Sequence, residues 1–225
     1  MDLVGRTELK ICVDASLKTF RDKRVFTCSG AICINNDRED YYILQDSTNN
    51  RGELMAVYQG IMLAIDEIRR NPTMYGKVSI FSDSQFAVCG ITEWFHTWIK
   101  NRNKNGIMYN SSGEPVKNQN MFMMIVSLCV SNRLIVHFYN NLGHVDITSN
   151  RQLIKATDYF NKINKDNKSI DEIRIISMYN NEIDYKSRKL LNSINPSKYP
   201  RIKYDNNPVS SMRYYIDPKY TRYIK

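Results

Sequence analysis

Across residues 53–70 the apolar side chains Leu54, Val57, Ile61, Ile65 and Ile68 recur at helical spacing, while the segments on either side carry the alternation of strands. Upstream, residues 9–14 alternate apolar and polar and deliver Asp14 at their end. Residues 25–34 and 40–44 are two further β-rich runs, separated by the turn-prone Asn35-Asn36-Asp37, which predicts a three-stranded antiparallel start. Downstream, after the stop at Asn71-Pro72 and Gly76, residues 77–82 form a short strand that again ends in an aspartate, Asp83. The pattern then reads as helix over 84–103 with a break near Gly90, a polar loop to Lys117, and helix over 119–130. It continues with a strand over 133–139, a loop to Ser149 and a helix over about 150–163. Strands followed by alternating helices and strands predict an α/β domain, a mixed five-stranded sheet flanked by helices, over residues 1–164.

Composition bounds the rest. With 225 residues, 42% of them hydrophobic and 24% charged, the chain holds enough apolar material for a domain and an appendage, and wholesale disorder is excluded. The five cysteines are odd in number and scattered, with no CxxC pair, which argues against a zinc site and for a cytoplasmic or nuclear-type reducing compartment. No run approaches the roughly 18 apolar residues of a membrane span. The start MDLVGRTELK has neither a basic nor an apolar leader pattern, so an unsecreted protein without a membrane partner is expected.

The formal net charge is +9, and residues 165–225 carry 13 Lys/Arg against 7 Asp/Glu together with eight of the 15 tyrosines. This basic, Tyr-rich C-terminal extension suits a polyanion, with rings to stack on bases and cations to meet phosphates. The plainer alternative is that the tyrosines pack the extension onto the domain.

Acidic residues sit where the topology can gather them. Asp14 and Asp83 end strands that can lie side by side, Glu53 opens the long helix, and Asp146 or Asp158 follows the last strand. Clustered carboxylates repel one another unless a divalent cation neutralises them, and hard oxygen ligands suit Mg²⁺ or Mn²⁺. Two such ions assist phosphodiester hydrolysis. Singly, each acid also fits a structural role as a helix-initial or turn residue.

The run Ser47-Thr48-Asn49-Asn50-Arg51-Gly52-Glu53-Leu54-Met55-Ala56 resembles the TNNRxELMA signature of the type 1 ribonuclease H family. Asp83-Ser84-Gln85-Phe86 is similar to that family's DSQY element, and residues 90–98, GITEWFHTW, to the handle helix of its bacterial members. Pro115-Val116-Lys117-Asn118 matches the stretch after their basic protrusion, so the resemblance covers about residues 9–163. It implies the ribonuclease H-like fold and endonucleolytic cleavage of the RNA strand of RNA/DNA hybrids with two Mg²⁺ ions, for which Mn²⁺ can substitute. In that reading Asp14, Glu53, Asp83 and a fourth carboxylate hold the metals, and His144, in the loop after the last strand, aids proton transfer or product release. Thr48, Asn49, Asn50 and Gln85 meet the hybrid through 2′-hydroxyls and phosphates. Trp94, Trp98, Lys100, Arg102 and Lys104 resemble the handle that grips the DNA strand.

Two departures stand out. The family's Gly-rich turn after the first aspartate is replaced by Ala15-Ser16-Leu17-Lys18-Thr19-Phe20, so substrate contacts there are altered. The family's last aspartate lies about ten residues after the histidine, where this chain has Ile154. Asp158, in Ala156-Thr157-Asp158, is the expected fourth ligand and Asp146 its competitor. Two rival functions follow: a hybrid- or duplex-binding module impaired in turnover by the displaced acid, and a DNA-directed nuclease of the same superfamily. A monomer is expected, with RNA/DNA hybrid as partner and the extension as a docking segment for a replication protein.

Overall fold

The computed structural model describes residues 6–45 and 47–199. The expected stacking tyrosines beyond Tyr199 therefore lie outside the described residues. Five strands, β1 (Thr7–Thr19), β2 (Val25–Cys33), β3 (Glu39–Gln45), β4 (Tyr75–Ser82) and β5 (Val136–Asn140), form one sheet in the order β3-β2-β1-β4-β5. β1 pairs antiparallel with β2, and β2 with β3, whereas β1–β4 and β4–β5 are parallel. This is the mixed five-stranded sheet that the alternation of patterns predicts.

β1 is longer than expected. It runs past Asp14 to Thr19, paired from Asp14↔Gly30 to Thr19↔Val25, so Asp14 is mid-strand. The cause is local: residues 15–19 contain no glycine to turn the backbone and continue to alternate along a pairing partner.

The helix α1 (Asn49–Arg70) starts at Thr48, whose side chain accepts from the Arg51 N–H, and ends in Arg69-Arg70, where cations suit the carbonyl end. After β4 come α2 (Gln85–Cys89), a π-helical turn (Gly90–Trp94) and α3 (Phe95–Lys100), then α4 (Gln119–Ser131). These pack with α1 on one sheet face, burying Leu9, Ile11 and Val13 of β1 among Val57, Ile61, Phe95 and Phe122.

The other face is covered by α5 (Asn150–Asn164) and α6 (Ile170–Ser193). There Cys12 of β1, Ile32, Phe81 and Tyr139 meet Leu153, Ala156 and Phe160 of α5 and Ile173, Ile176 and Ile183 of α6. α6 opens with a capping box between Ser169 and Glu172. Its close approach to β2 depends on Gly30, where a Cβ would lie 2.6 Å from Ile183 Cγ2. Beyond residue 164, α6 covers the central strands, and its Leu191 joins Phe26 and Cys28 in a third cluster. Among the described residues no helix is long and apolar enough to cross a membrane.

Candidate active site

The parallel register Val13↔Ser82 sets Asp14 beside Asp83, the first residue after β4. Glu53, in the first turns of α1, completes a triad whose carboxylate oxygens lie within 4.8 Å of one another. The triad occupies one end of a cavity of about 700 Å³ that His144, Asn49 and Ser84 also line. Gly143 brings the loop after β5 against Asp83, where a side chain would collide with its carboxylate.

A fourth carboxylate arrives from α6. Asp184 lines the same cavity, and its charge is felt at both Asp14 and Asp83. Its Oδ1 accepts from Ser16 Oγ at 3.0 Å and from Arg188 Nε at 2.8 Å, while Oδ2 lies 3.7 Å from His144 Nδ1. One helical turn earlier, the buried Asn180 donates to Asp83 Oδ2 at 3.4 Å and accepts from Asn141. α6 is thus tied to the triad directly at Asp83 and to its surroundings through Ser16 and His144.

Asp158 is not brought to this cluster. It is exposed on α5, two residues from each of the buried Ala156 and Phe160 and hence on the opposite side of the helix. Asp146 is also exposed and turned into its own loop, where it accepts from the Thr148 N–H and hydroxyl. Sequence reasoning missed Asp184, which lies one helical turn after Asn180 on α6.

The electrostatics of the triad are those of charges held apart from water and close together. Burial, then repulsion from Asp83 and Glu53, drives the Asp14 carboxyl well above the usual carboxylate range. Glu53 is pushed up to about 8, first by burial and then by Asp83. Asp83 is raised by burial and partly relieved by its Asn180 hydrogen bond and by His144. Glu53 Oε2 is buried with no hydrogen-bond partner among the described residues. Convergent hard oxygens, one of them unsatisfied, fit a divalent cation. The family's divalent metal therefore has a matching donor set here.

A stability prediction follows from the raised acids. The folded state holds their protons more tightly than the unfolded chain, so their favourable contribution is full below the ordinary carboxylate range. It is lost as pH rises through about 8, where Glu53 ionises. In chelator, Asp14→Asn should therefore melt higher than the wild type at alkaline pH. The gap should close at about pH 4 and shrink when Mg²⁺ is added. Thermal melts across pH check this, and a gap independent of pH would contradict it.

The expected nucleic-acid contacts divide. Thr48, Asn49, Asn50 and Gln85 are exposed at the starts of α1 and α2, and Asn49 Nδ2 donates to Glu53 Oε1 at 3.3 Å. Trp94 is 40% exposed and is available for stacking. Trp98 is not: it is 8% exposed and packs edge-on against Phe122 at 5.1 Å between centroids. Lys100 and Lys104 are exposed and Arg102 is half-buried.

Residues 6–157, well over half of the chain, match the family model described as RNase H. The chain is 37% identical over 98 residues to Ribonuclease H of Hahella chejuensis, covering 43% of this chain and 57% of that protein. It is 32% identical over 123 residues to Ribonuclease H of Parvibaculum lavamentivorans, covering 54% and 72% respectively. Among solved structures, LC11-RNase H1 in complex with RNA/DNA hybrid is 13% identical with a TM-score of 0.41, over 69% of this chain and 98% of that one. The foamy viral protease-reverse transcriptase in complex with RNA/DNA hybrid is 16% identical with a TM-score of 0.47, over 68% and 19%. On the family match and the curated relatives, this chain belongs to the type 1 RNase H family.

Proposed function

We propose that this protein hydrolyses the RNA strand of RNA/DNA hybrids endonucleolytically, with two Mg²⁺ ions held by Asp14, Glu53, Asp83 and Asp184. The convergence of those four carboxylates in one cavity, in a chain of the RNase H family, carries the reading. When bound, the ions would supply Lewis acidity toward the phosphodiester and a water acidic enough to act as nucleophile. The protein's own contribution is to hold the acids in place. Asp14 is fixed by strand pairing and accepts from the Ala15 N–H at 2.7 Å, and Asn180 fixes Asp83. Ser16 and Arg188 occupy Oδ1 of Asp184, which leaves Oδ2 directed toward His144. His144 is exposed on a loop with φ of 54° and lines the cavity beside Asp184, and it would move a proton to or from a substrate oxygen bound there. Asn49 lines the cavity with the acids, and Thr48, Asn50 and Gln85 are exposed at the neighbouring helix starts, from which short polar side chains would pair with 2′-hydroxyls and so favour an RNA strand.

The test is cleavage of end-labelled RNA/DNA hybrid against single-stranded RNA, duplex RNA and duplex DNA, in Mg²⁺, Mn²⁺ and chelator. Cutting confined to the RNA strand of the hybrid, and abolished by chelator, is expected. Binding of the hybrid with no cutting in either metal would support a recognition module instead. Cutting of duplex DNA would support the DNA-directed alternative.

A further inference from the structure

The cavity does not end at the acids. It continues between β1 beyond Asp14 and the C-terminal half of α6, where Ser16, Leu17 and Lys18 face Arg188, Leu191 and Asn192. Asp14, Ser16 and Lys18 follow one another at strand period and share the sheet face on which Cys12 meets α6. The two walls run in the same direction and are stitched at intervals, Ser16 Oγ to Asp184 Oδ1 at 3.0 Å and Lys18 Nζ to Asn192 Oδ1 at 2.8 Å. Four strand residues carry β1 about 13 Å from Asp14 to Lys18. Eight helical residues carry α6 about 12 Å from Asp184 to Asn192. The groove is thus acidic at one end and basic at the other.

Among the described residues, Lys18 and Arg188 are, apart from His144, the basic side chains that line it. The contacts that hold Lys18, the Asn192 amide oxygen and the Phe20 ring 4.6 Å away, are both neutral. Arg188 meets Asp184 through Nε, and its side chain is 61% exposed. A guanidinium has five donors, so one engaged nitrogen leaves others to face the groove.

We propose that Lys18 and Arg188 form a phosphate subsite for the strand that is cut, gripping its backbone without regard to base. This rests on the hydrolytic reading above, since the same strand must pass the carboxylates. A nucleic-acid strand advances about 3.4 Å per nucleotide along its axis, so the subsite takes a phosphate within about four nucleotides of the scissile bond. The extended β1, which replaces the expected glycine-rich turn, is what carries Lys18 there. A backbone contact of this kind adds affinity and register and leaves sequence preference unchanged.

The test uses the full chain and a fluorescent RNA/DNA hybrid in chelator, read by anisotropy over a salt series. Lys18→Met should weaken binding about 3- to 10-fold and reduce the salt slope by about 1, and Lys18→Arg should restore both. A second arm places a single neutral methylphosphonate at each position of the RNA strand, then of the DNA strand. On the unaltered chain one RNA position should show a comparable loss, and K18M should be insensitive at that position. Unchanged affinity and slope in K18M would overturn the subsite, as would a sensitive position confined to the DNA strand. The scan on the unaltered chain does not depend on any variant's folding. Cutting of hybrid with no effect of Lys18 overturns the subsite and leaves the hydrolytic reading. The Lys18 effects without cutting in Mg²⁺ or Mn²⁺ do the reverse, and no hybrid binding by the wild type overturns both.

Discussion

Asp184→Asn is expected to reduce Mg²⁺-dependent cleavage of the hybrid by at least about 100-fold, whereas Asp158→Asn leaves it within about 2-fold of the wild type. Residues that only support a metal ligand cost 10- to 100-fold when removed, so loss of a direct carboxylate should reach or exceed the upper end. The amide is nearly isosteric and keeps an oxygen for Ser16 and Arg188, but it removes the negative charge beside Asp14 and Asp83. Folding should therefore survive. Single-turnover cleavage of purified variants decides the matter, and titration calorimetry with Mg²⁺ adds a second readout, a weakened or missing binding event in D184N alone. If Asp158→Asn were the inactive variant, α5 would have to carry the ligand, and the exposed position of Asp158 would have no place in the mechanism.

That contrast shows what the sequence makes legible. Asp14, Glu53 and Asp83 were readable because each lies next to a strong periodic signal, two strands at period 2 and a long helix at 3.6. Parallel pairing of β1 with β4 then leaves little freedom in where the acids meet. Asp184 lies 40 residues beyond His144, because α5 is interposed before the helix that carries it. The Ala156-Thr157-Asp158 step on α5 imitates the expected ending. The buried stripe of α6 is also interrupted, with Asn180 and Ser187 lying among Ile173, Ile176, Ile183 and Leu191, so its apolar period is diluted by polar residues. The Ser169/Glu172 capping box was the signal present for the helix itself. Trp98 is ambiguous for a different reason: a tryptophan on an amphipathic helix fits stacking and packing equally, and here it packs on Phe122.

The second large effect concerns the boundary itself. A chain ending at residue 164 is expected not to fold, while one ending at residue 199 should melt close to the full chain. Ending at 164 removes Ile173, Ile176, Ile183 and Leu191, each no more than 3% exposed, and uncovers Cys12, Ile32, Phe26 and Cys28 of the central strands. At ~1.5–3 kcal/mol for each large apolar side chain, four such losses cost ~6–12 kcal/mol. A domain's whole stability is ~5–15 kcal/mol, so little or nothing remains. Ending at 199 removes none of these contacts and keeps the Arg24 link to the Tyr199 carbonyl, so any loss of hybrid affinity there belongs to the basic residues beyond it. Far-UV circular dichroism melts of the two truncations give the answer. A cooperative transition for the 1–164 chain near that of the full protein would show that the sheet face does not need α6. The site would then have to form without Asp184, and both the fourth-ligand assignment and the groove toward Lys18 would fall together.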